Sequence, residues 1–274
     1  MQISLDLRGR VGRIGYMIEL KEIRYSYDQE PVLNGLSVVL SQKDFTVILG
    51  PNGAGKSTLL YIIMGFLKPQ SGEILLEGKS LSAYKRGELA RKMAFVAQES
   101  VFSFDYTVQD MILMGRYPYQ GLLENLLPRD LEVARKAMAS LGLTEYAQRW
   151  YSQLSGGEKQ RVLLARALAQ ETDYILLDES LSQLDINHQI EIMSLLSRIQ
   201  KEQGKGIVLI SHNLNLAANF ASRMILLKQG VLMGSGNPEE MMQPELLQQV
   251  FGLELQTTLN PLSGRMNILY PVNS

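Results

Sequence analysis

The segment Gly50–Thr58 has the residue types and spacing needed to hold phosphate groups. Its glycines allow backbone N–H groups to surround phosphate oxygens, Lys56 can reach the β- and γ-phosphates, and Ser57 can offer its hydroxyl to Mg²⁺. A helix that begins near Lys56 adds the positive end of its dipole. The segment therefore predicts a nucleoside triphosphate site. The residues predicted to contact the nucleotide are Gly50, Pro51, Asn52, Gly53, Ala54, Gly55, Lys56, Ser57 and Thr58.

A pair of acidic residues, Asp178 and Glu179, follows the apolar run Tyr174–Leu177. Successive side chains of a strand point to opposite faces, so we expect the two carboxylates to diverge. One is then free to support Mg²⁺ and the other to meet a water molecule. The alternative is a pair of solvated acids at a strand end, and the phosphate-binding segment upstream makes that interpretation the weaker one.

A third segment, Leu154-Ser-Gly-Gly-Glu158, has a structural and a functional interpretation. Ser155 can cap a helix while Glu158 reaches back to it, which is the arrangement of a capping box. The two glycines also expose backbone N–H groups at the start of that helix, and this makes an anion site. Both interpretations can hold together.

Four short apolar runs, nearly continuous rather than alternating, predict the strands that position these residues. The runs are Phe45–Leu49, Ala94–Ala97, Tyr174–Leu177 and Ile207–Ile210. Helical patterns separate them, for example Ser57–Leu67 and Glu158–Gln170. This alternation favours an α/β fold with a mostly parallel sheet. Ligands of such sheets lie beyond the carboxyl ends of the strands. The phosphate-binding segment, Gln98, the acidic pair and His212 all stand at such ends.

Residues 99–154 differ in composition from their surroundings and are predicted to form a small inserted helical subdomain. Within them Pro128 begins a helical pattern that Gly142 closes. Residues 230–274 are predicted to form a turn-rich hairpin and a short helix around Glu239–Phe251. Residues 1–16 show no periodicity and are interpreted as an extension of unknown role.

The bulk composition excludes several classes of protein. The chain has 274 residues and a formal net charge of −1, so it lacks the basic surface of a nucleic-acid-binding protein. It has no cysteine, which excludes disulfides and thiolate metal sites. No stretch approaches the ~20 apolar residues that span a bilayer. We therefore expect a cytosolic protein that reaches a membrane only through a partner.

Six segments together resemble the nucleotide-binding domains of ABC transporters, and the resemblance covers about residues 18–232. In chain order they resemble Walker A (Gly50–Thr58), the Q-loop glutamine (Gln98), the signature sequence (Leu154–Glu158), Walker B (Tyr174–Glu179), the D-loop (Ser182–Asp185) and the switch histidine (His212). The resemblance implies a P-loop NTPase fold with an N-terminal antiparallel β portion. It also implies that residues 17–274 form one ABC nucleotide-binding domain.

The resemblance implies that two copies of the chain meet head to tail. Each copy lends its signature sequence to the ATP of the other, so that the γ-phosphate lies between Lys56 of one copy and Ser155 of its partner. The residues implied at this shared surface are Ser155, Gly156, Gly157, Glu158 and Asp185.

The resemblance also implies catalytic roles. Glu179 polarises the attacking water, His212 contacts the γ-phosphate, and Gln98 links the metal site to the helical subdomain. The residues implied as catalytic are Lys56, Gln98, Glu179 and His212, and those implied to hold Mg²⁺ are Ser57, Gln98 and Asp178. A plain capping or core histidine is the alternative for His212.

Tyr27 is implied as the aromatic residue that stacks on adenine, an interaction worth ~1–3 kcal/mol per base. Tyr25 lies two residues away and is expected on the same face of a strand, so it is an alternative for this role. One departure from the family follows Walker B, where Ser180-Leu181 replaces the usual Pro-Thr. The departure predicts a more flexible loop without loss of activity.

The stretch Thr107–Pro118 resembles the ATPases that serve iron–siderophore, haem and cobalamin uptake, through Gly115-Arg-Tyr-Pro118. It implies an importer ATPase at the cytoplasmic face of the membrane, with two permease subunits and, indirectly, a substrate-binding protein as partners. An importer of another small solute is one alternative. A soluble ABC ATPase acting on DNA or ribosomes is another, although the chain lacks the coiled-coil insertions or tandem cassettes typical of those proteins. A P-loop kinase or small GTPase is a third alternative, but those proteins lack a signature sequence, so Leu154–Glu158 argues against it.

Overall fold

The computed structural model describes residues 4–5, 11–12, 17–98, 104–120, 126–182 and 184–269, the first two pairs by their backbone alone. The strands, numbered along the chain, are β1 (Ser4–Leu5), β2 (Val11–Gly12), β3 (Met17–Tyr27), β4 (Glu30–Ser41), β5 (Phe45–Leu49), β6 (Ser71–Leu76), β7 (Lys79–Ser80), β8 (Met93–Val96), β9 (Tyr174–Leu177), β10 (Gly206–Ile210), β11 (Arg223–Lys228), β12 (Val231–Gly236), β13 (Gln256–Leu259) and β14 (Met266–Leu269).

The α-helices are α1 (Lys56–Ile63), α2 (Arg86–Ala90), α3 (Val108–Leu113), α4 (Pro128–Ser140), α5 (Gly156–Ala169), α6 (Ile186–Gln203), α7 (Leu214–Phe220), α8 (Pro238–Met241) and α9 (Pro244–Phe251). Short 3₁₀ helices span Leu81–Ala83, Met114–Tyr119, Thr144–Tyr146 and Tyr151–Gln153. No helix in these described stretches is both long and apolar enough to cross a membrane.

The central sheet has the strand order β12-β11-β5-β10-β9-β8. Its strands run parallel except for β12, which turns back antiparallel to β11. Every residue of β5, β9 and β10 is buried, which explains why their sequences are continuously apolar. The predicted mostly parallel sheet is confirmed, with β8 beginning one residue earlier than predicted.

Two hydrophobic cores lie on opposite faces of this sheet. Alternate residues of β5 contribute to each, because Ile48 packs with α1 and the antiparallel sheet β4-β3-β6-β7, whereas Val47 packs with α3 to α7. The N-terminal antiparallel β portion is thereby confirmed as a layer over α1. The cores hold the loops that follow β5, β8, β9 and β10 at one edge of the sheet.

Two helices differ in extent from the predictions. Helix α1 ends at Ile63 rather than near Leu67, because Gly65 adopts a left-handed conformation (φ 71°). The prediction of a single helix around Glu239–Phe251 was wrong, because the structure has two separate helices there, α8 and α9. Pro244 opens α9 and holds the preceding Gln243 in an extended conformation (ψ 131°), which interrupts the helix.

The described parts of residues 99–154 contain α3, α4 and the short 3₁₀ helices around them. Helix α3 begins at a Thr107 cap, whose hydroxyl accepts the N–H of Asp110 at 3.1 Å. Pro128 occupies the first turn of α4, where its missing N–H carries no penalty. Residues 99–103 and 121–125 of the predicted subdomain lie outside the described residues, and its boundaries stay a prediction.

Arg116, inside the Gly115-Arg-Tyr-Pro118 segment, is a buried cation that joins two helices. Its side chain is only 2% exposed, and its Nε donates to Asp130 at the start of α4 at 2.9 Å. Its Nη1 donates to the carbonyl of Ala169, the last residue of α5, at 2.7 Å and to Glu171 at 2.9 Å. The guanidinium also stacks over the Tyr119 ring at 4.1 Å. The segment thus fixes α4 to the end of α5.

We expect Arg116→Met to lower the free energy of unfolding by about 3–5 kcal/mol, because it leaves the buried Asp130 carboxylate without its cation. Urea denaturation followed by circular dichroism measures the change. Arg129→Met is the matched control, because that guanidinium is 76% exposed and lies 3.8 Å from Glu171. The control is expected to cost less than ~1 kcal/mol. Equal losses in the two variants would contradict a structural role for Arg116.

Candidate functional site

The phosphate-binding segment winds from the end of β5 into the start of α1. Gly50 adopts φ 154°, and a Cβ atom at this position would overlap the backbone oxygen of Leu227 on β11. Only glycine permits this approach, so the loop can turn tightly above the sheet. The N–H of Ala54 donates to the carbonyl of Pro51 at 3.2 Å, which closes the turn before the helix begins.

Lys56 is the first residue of α1 and lies across this loop. Its Nζ donates to the carbonyl oxygens of Gly50 at 3.1 Å and Pro51 at 3.0 Å. Burial lowers the pKa of the Lys56 amine, and the negative charges of Glu179 and Asp178 oppose that change. An anion bound in the loop would favour the charged amine. The geometry therefore places a single cation at the mouth of the loop.

Ser57 and Asp178 bring two oxygen ligands together at the carboxyl end of β9. The Ser57 hydroxyl donates to Asp178 Oδ1 at 2.9 Å. Burial raises the pKa of the Asp178 carboxyl, and hydrogen bonds from Ser57 and Tyr61 oppose the rise. Hard oxygen donors of this kind suit Mg²⁺. The described residues contain no group of three or more His, Cys, Asp or Glu side chains that could hold a metal.

Glu179 points away from this pair and toward His212, which follows β10. Glu179 Oε1 lies 2.7 Å from His212 Nε2 and 3.9 Å from Lys56 Nζ. Its backbone is left-handed (φ 40°), an unusual conformation for a residue with a side chain, and its carbonyl accepts the N–H of Ser182 at 3.0 Å. Such a conformation costs roughly 1–3 kcal/mol. The two neighbouring carboxylates therefore serve different partners.

The signature segment begins α5 as a capping box. The N–H of Ser155 donates to Glu158 Oε2 at 2.7 Å, and the N–H of Glu158 donates to Ser155 Oγ at 3.4 Å. Ser155 and Gly156 are exposed. Within the described chain, no hydrogen bond or ion pair joins this segment to residues 50–58. The anion site that it offers is separate from the phosphate-binding loop of its own chain.

The remaining predicted residues lie at the rim of the same edge. Tyr27 ends β3 and is 45% exposed, and its ring stands edge-on to Tyr25 with centroids 5.0 Å apart, so both rings lie on one face. Gln98 is exposed two residues beyond β8. Asp185 caps α6, and its carboxylate accepts the backbone N–H of His188 at 3.0 Å. Gln183 of the D-loop lies outside the described residues.

Two residues near the site were missed by the sequence analysis. Tyr61 contacts Asp178 from one turn further along α1, and its pKa is raised by burial and by that carboxylate. His188 bonds the Asp185 carboxylate through its ring, and an Asp-x-x-His spacing at a helix start was the signal available. Both residues stand one helical turn from a recognised motif residue.

A phosphate-binding loop after β5 of a parallel sheet, with an acidic pair after β9 at the same edge, defines a P-loop nucleoside triphosphatase. The ABC transporter family profile matches residues 33–182 of the chain. This chain belongs to the ABC transporter family of ATP-binding proteins, and it is an ATPase that binds ATP.

The similarity extends over most of the chain. The petrobactin import ATP-binding protein of Bacillus anthracis is 36% identical, covering 90% of both chains. The ferric enterobactin transport ATP-binding protein of Escherichia coli is 37% identical over 89% of this chain and 90% of its own length. The hemin import ATP-binding protein of Bordetella pertussis is 38% identical over 87% of this chain and 94% of its own length.

Two solved structures share the fold. An inward-facing ABC transporter described as of metal-chelate type matches with a TM-score of 0.82 and 30% identity, covering 93% of this chain and 97% of that chain. The dimeric structure of a bacterial ABC transporter cassette matches with a TM-score of 0.69 and 30% identity, covering 81% of this chain and 98% of that chain.

Proposed function

We propose that this chain is the ATP-hydrolysing subunit of an importer that carries a metal chelate of the iron–siderophore, haem or cobalamin class. The observation that carries this proposal is its similarity, over about 90% of both chains, to relatives named for petrobactin and ferric enterobactin import.

Nucleotide binding rests on the loop and on two oxygen ligands. The N–H groups of residues 50–58 and the Lys56 ammonium hold the phosphates, and Tyr27 stacks on the adenine. The adjacent oxygens of Ser57 and Asp178 fit Mg²⁺, with Gln98 as a further ligand when its loop approaches. Bound there, Mg²⁺ supplies positive charge beside the β- and γ-phosphates.

Hydrolysis rests on Glu179. Its carboxylate takes a proton from a water molecule whose oxygen bonds to the γ-phosphorus, while the bond from that phosphorus to the bridging oxygen breaks and ADP leaves. His212 holds the carboxylate at 2.7 Å, and the left-handed backbone of Glu179 aims it at this histidine. His212 thereby stands within the group of residues that faces the γ-phosphate.

A second copy of the chain completes each site. Ser155 and Gly156 are exposed and lie apart from their own phosphate-binding loop, so the N–H of Gly156 and the hydroxyl of Ser155 can meet the γ-phosphate held by a partner copy. The D-loop Asp185 faces the same shared surface in the proposed head-to-tail dimer. The dimeric structure of a cassette of similar fold supports the formation of a dimer.

A groove between the Met114–Tyr119 turn and the sheet domain is proposed to receive the permease. It has a volume of about 750 Å³, and its apolar lining includes Phe66, Met114 and Tyr117. Phe66 and Tyr117 are each 60% exposed and line the same groove, so they contribute to one exposed apolar patch. Two permease subunits occupying the grooves of a dimer would hold the protein peripherally at the cytoplasmic face of the membrane. A substrate-binding protein then acts through the permease, and no nucleic acid is involved.

We expect Met114→Trp to lower transport by about tenfold, within the range of couplings between distant sites, because the larger ring fills the groove. Transport and ATPase activity are measured in vesicles that contain the cognate permease and binding protein. Nucleotide affinity of the isolated subunit is expected to stay unchanged. Leu262→Ala, at a residue 96% exposed on the C-terminal hairpin, is the control and leaves transport intact.

The same vesicles test the cargo. A binding protein loaded with a metal chelate is expected to stimulate the ATPase. Stimulation by a sugar- or amino-acid-loaded binding protein, without any response to metal chelates, would overturn the cargo and leave the ATPase assignment in place.

A further inference from the structure

A histidine at the start of α6 joins the D-loop to the signature segment of the same chain. Asp185 uses both carboxylate oxygens on His188, because Oδ1 accepts the backbone N–H at 3.0 Å and Oδ2 lies 2.6 Å from the ring Nδ1. Hydrogen bonds from the His188 backbone and ring hold the pKa of Asp185 below its usual value. The carboxylate is therefore ionised at neutral pH, and Nδ1 carries the proton that it donates.

The other edge of the His188 ring lies against the signature segment. A Cβ atom at Gly157 would stand 2.5 Å from Cδ2 and 2.9 Å from Nε2 of the imidazole, closer than packed atoms allow. A Cβ atom at Gly156 would instead meet Leu184 at an ordinary 3.6 Å. Gly157 is buried while Gly156 is exposed, although both belong to the anion site. The imidazole thus occupies the space that a side chain at residue 157 would need.

These contacts connect the start of α5 to the start of α6, two helices that belong to different parts of the fold. Helix α5 carries the signature segment and packs against α3 and α4 of the helical region. Helix α6 follows β9 and the acidic pair, which belong to the central sheet. His188 is a flat ring with one bonded nitrogen and one packed edge, so it sets the spacing between the starts of the two helices.

We propose that His188 is a positioning residue that holds the signature segment and the D-loop in one fixed arrangement, ready for the nucleotide of a partner copy. This inference rests on the shared site described under the proposed function. A bridge already present in the single chain removes part of the ordering cost that dimer closure would otherwise carry.

The first test compares His188→Ala, His188→Asn and wild type by steady-state ATPase activity. Displacement of positioned groups costs up to ~100-fold in rate, and we expect His188→Ala to lower kcat between ~10- and ~100-fold. The affinity of the single chain for a fluorescent ATP analogue stays within about twofold, because His188 does not contact the phosphate-binding loop. His188→Asn keeps an N–H for Asp185 and recovers part of kcat. Glu202→Ala, at the exposed end of α6, is the control.

The second test uses the two signature glycines as a matched pair. Gly157→Ala forces the imidazole aside, so Gly157→Ala with His188→Ala is expected to be no less active than His188→Ala alone. Gly156→Ala with His188→Ala should instead show the product of the two single losses. Multiplicative losses in both pairs would overturn the proposal, as would a wild-type kcat for His188→Ala.

Circular dichroism and urea unfolding confirm that each variant folds. If His188→Ala fails to fold, the kcat of His188→Asn is compared instead with that of His188→Asn combined with Gly157→Ala. The positioning role is then judged by whether the two losses multiply. Absence of ATPase activity in the wild-type dimer would instead overturn the proposed shared site. An active wild type with no effect at His188 removes only the positioning role.

Discussion

Glu179→Gln is expected to lower kcat for ATP by ~10²–10⁴-fold, the usual contribution of a general base. The amide keeps the shape of the side chain and a contact with His212, but it cannot accept the proton of the attacking water. Nucleotide affinity is expected to persist, since Lys56 and the loop N–H groups are untouched. Steady-state ATPase activity and binding of a fluorescent ATP analogue should be measured on the same preparation.

Glu202→Gln provides a control for the loss of one carboxylate at an exposed position. Wild-type turnover in Glu179→Gln would remove Glu179 from its role as base. Parallel loss of binding and turnover would also count against that role, because the site places its carboxylate toward His212 rather than in the loop.

ATPase activity is expected to return when two inactive variants, Lys56→Ala and Ser155→Arg, are mixed. In a head-to-tail dimer the mixed pair has one doubly damaged site and one intact site, since each site takes Lys56 from one copy and Ser155 from the other. Random pairing makes half of the dimers mixed, so activity should return to roughly one quarter of wild type if the sites act independently. Titration of one variant into the other, at constant total protein, measures the return.

The matched control mixes Lys56→Ala with Glu179→Gln. Both lesions then fall on the half-site supplied by the same copy, so every site of every dimer remains damaged and no activity returns. Normal ATP hydrolysis by Ser155→Arg alone, at all protein concentrations, would contradict the shared site. Restoration in the control mixture would contradict it equally.

The parts of the site that sequence predicts are those carried by short contiguous segments. Residues 50–58 and the pair Asp178–Glu179 bring their own strand, turn and helix signals, and the structure has those elements. The buried strands were predictable because a parallel sheet covered on both faces demands unbroken apolar runs. Helix ends were less predictable, since a proline such as Pro244 restricts the residue before it without a strong pattern around it.

Contacts between distant segments could not be predicted. Arg116 meets Asp130 and Glu171, 14 and 55 residues away in the chain, and nothing in the local sequence distinguishes it from an exposed arginine. His188 meets Gly157 only because the starts of two helices lie side by side. Such pairings are set by tertiary packing, which a single sequence does not display.

The anchoring of α5 has a mechanical consequence. The helix has 14 residues and so spans roughly 21 Å, with Arg116 holding its last carbonyl and the signature segment at its first turn. A hydrogen-bonded helix resists compression along its axis. A force applied at Tyr117, next to Arg116, is therefore expected to be transmitted along α5 toward Ser155. Under the proposed permease docking, a tilt of the turn beside Arg116 is therefore expected to shift Ser155 at the other end of α5.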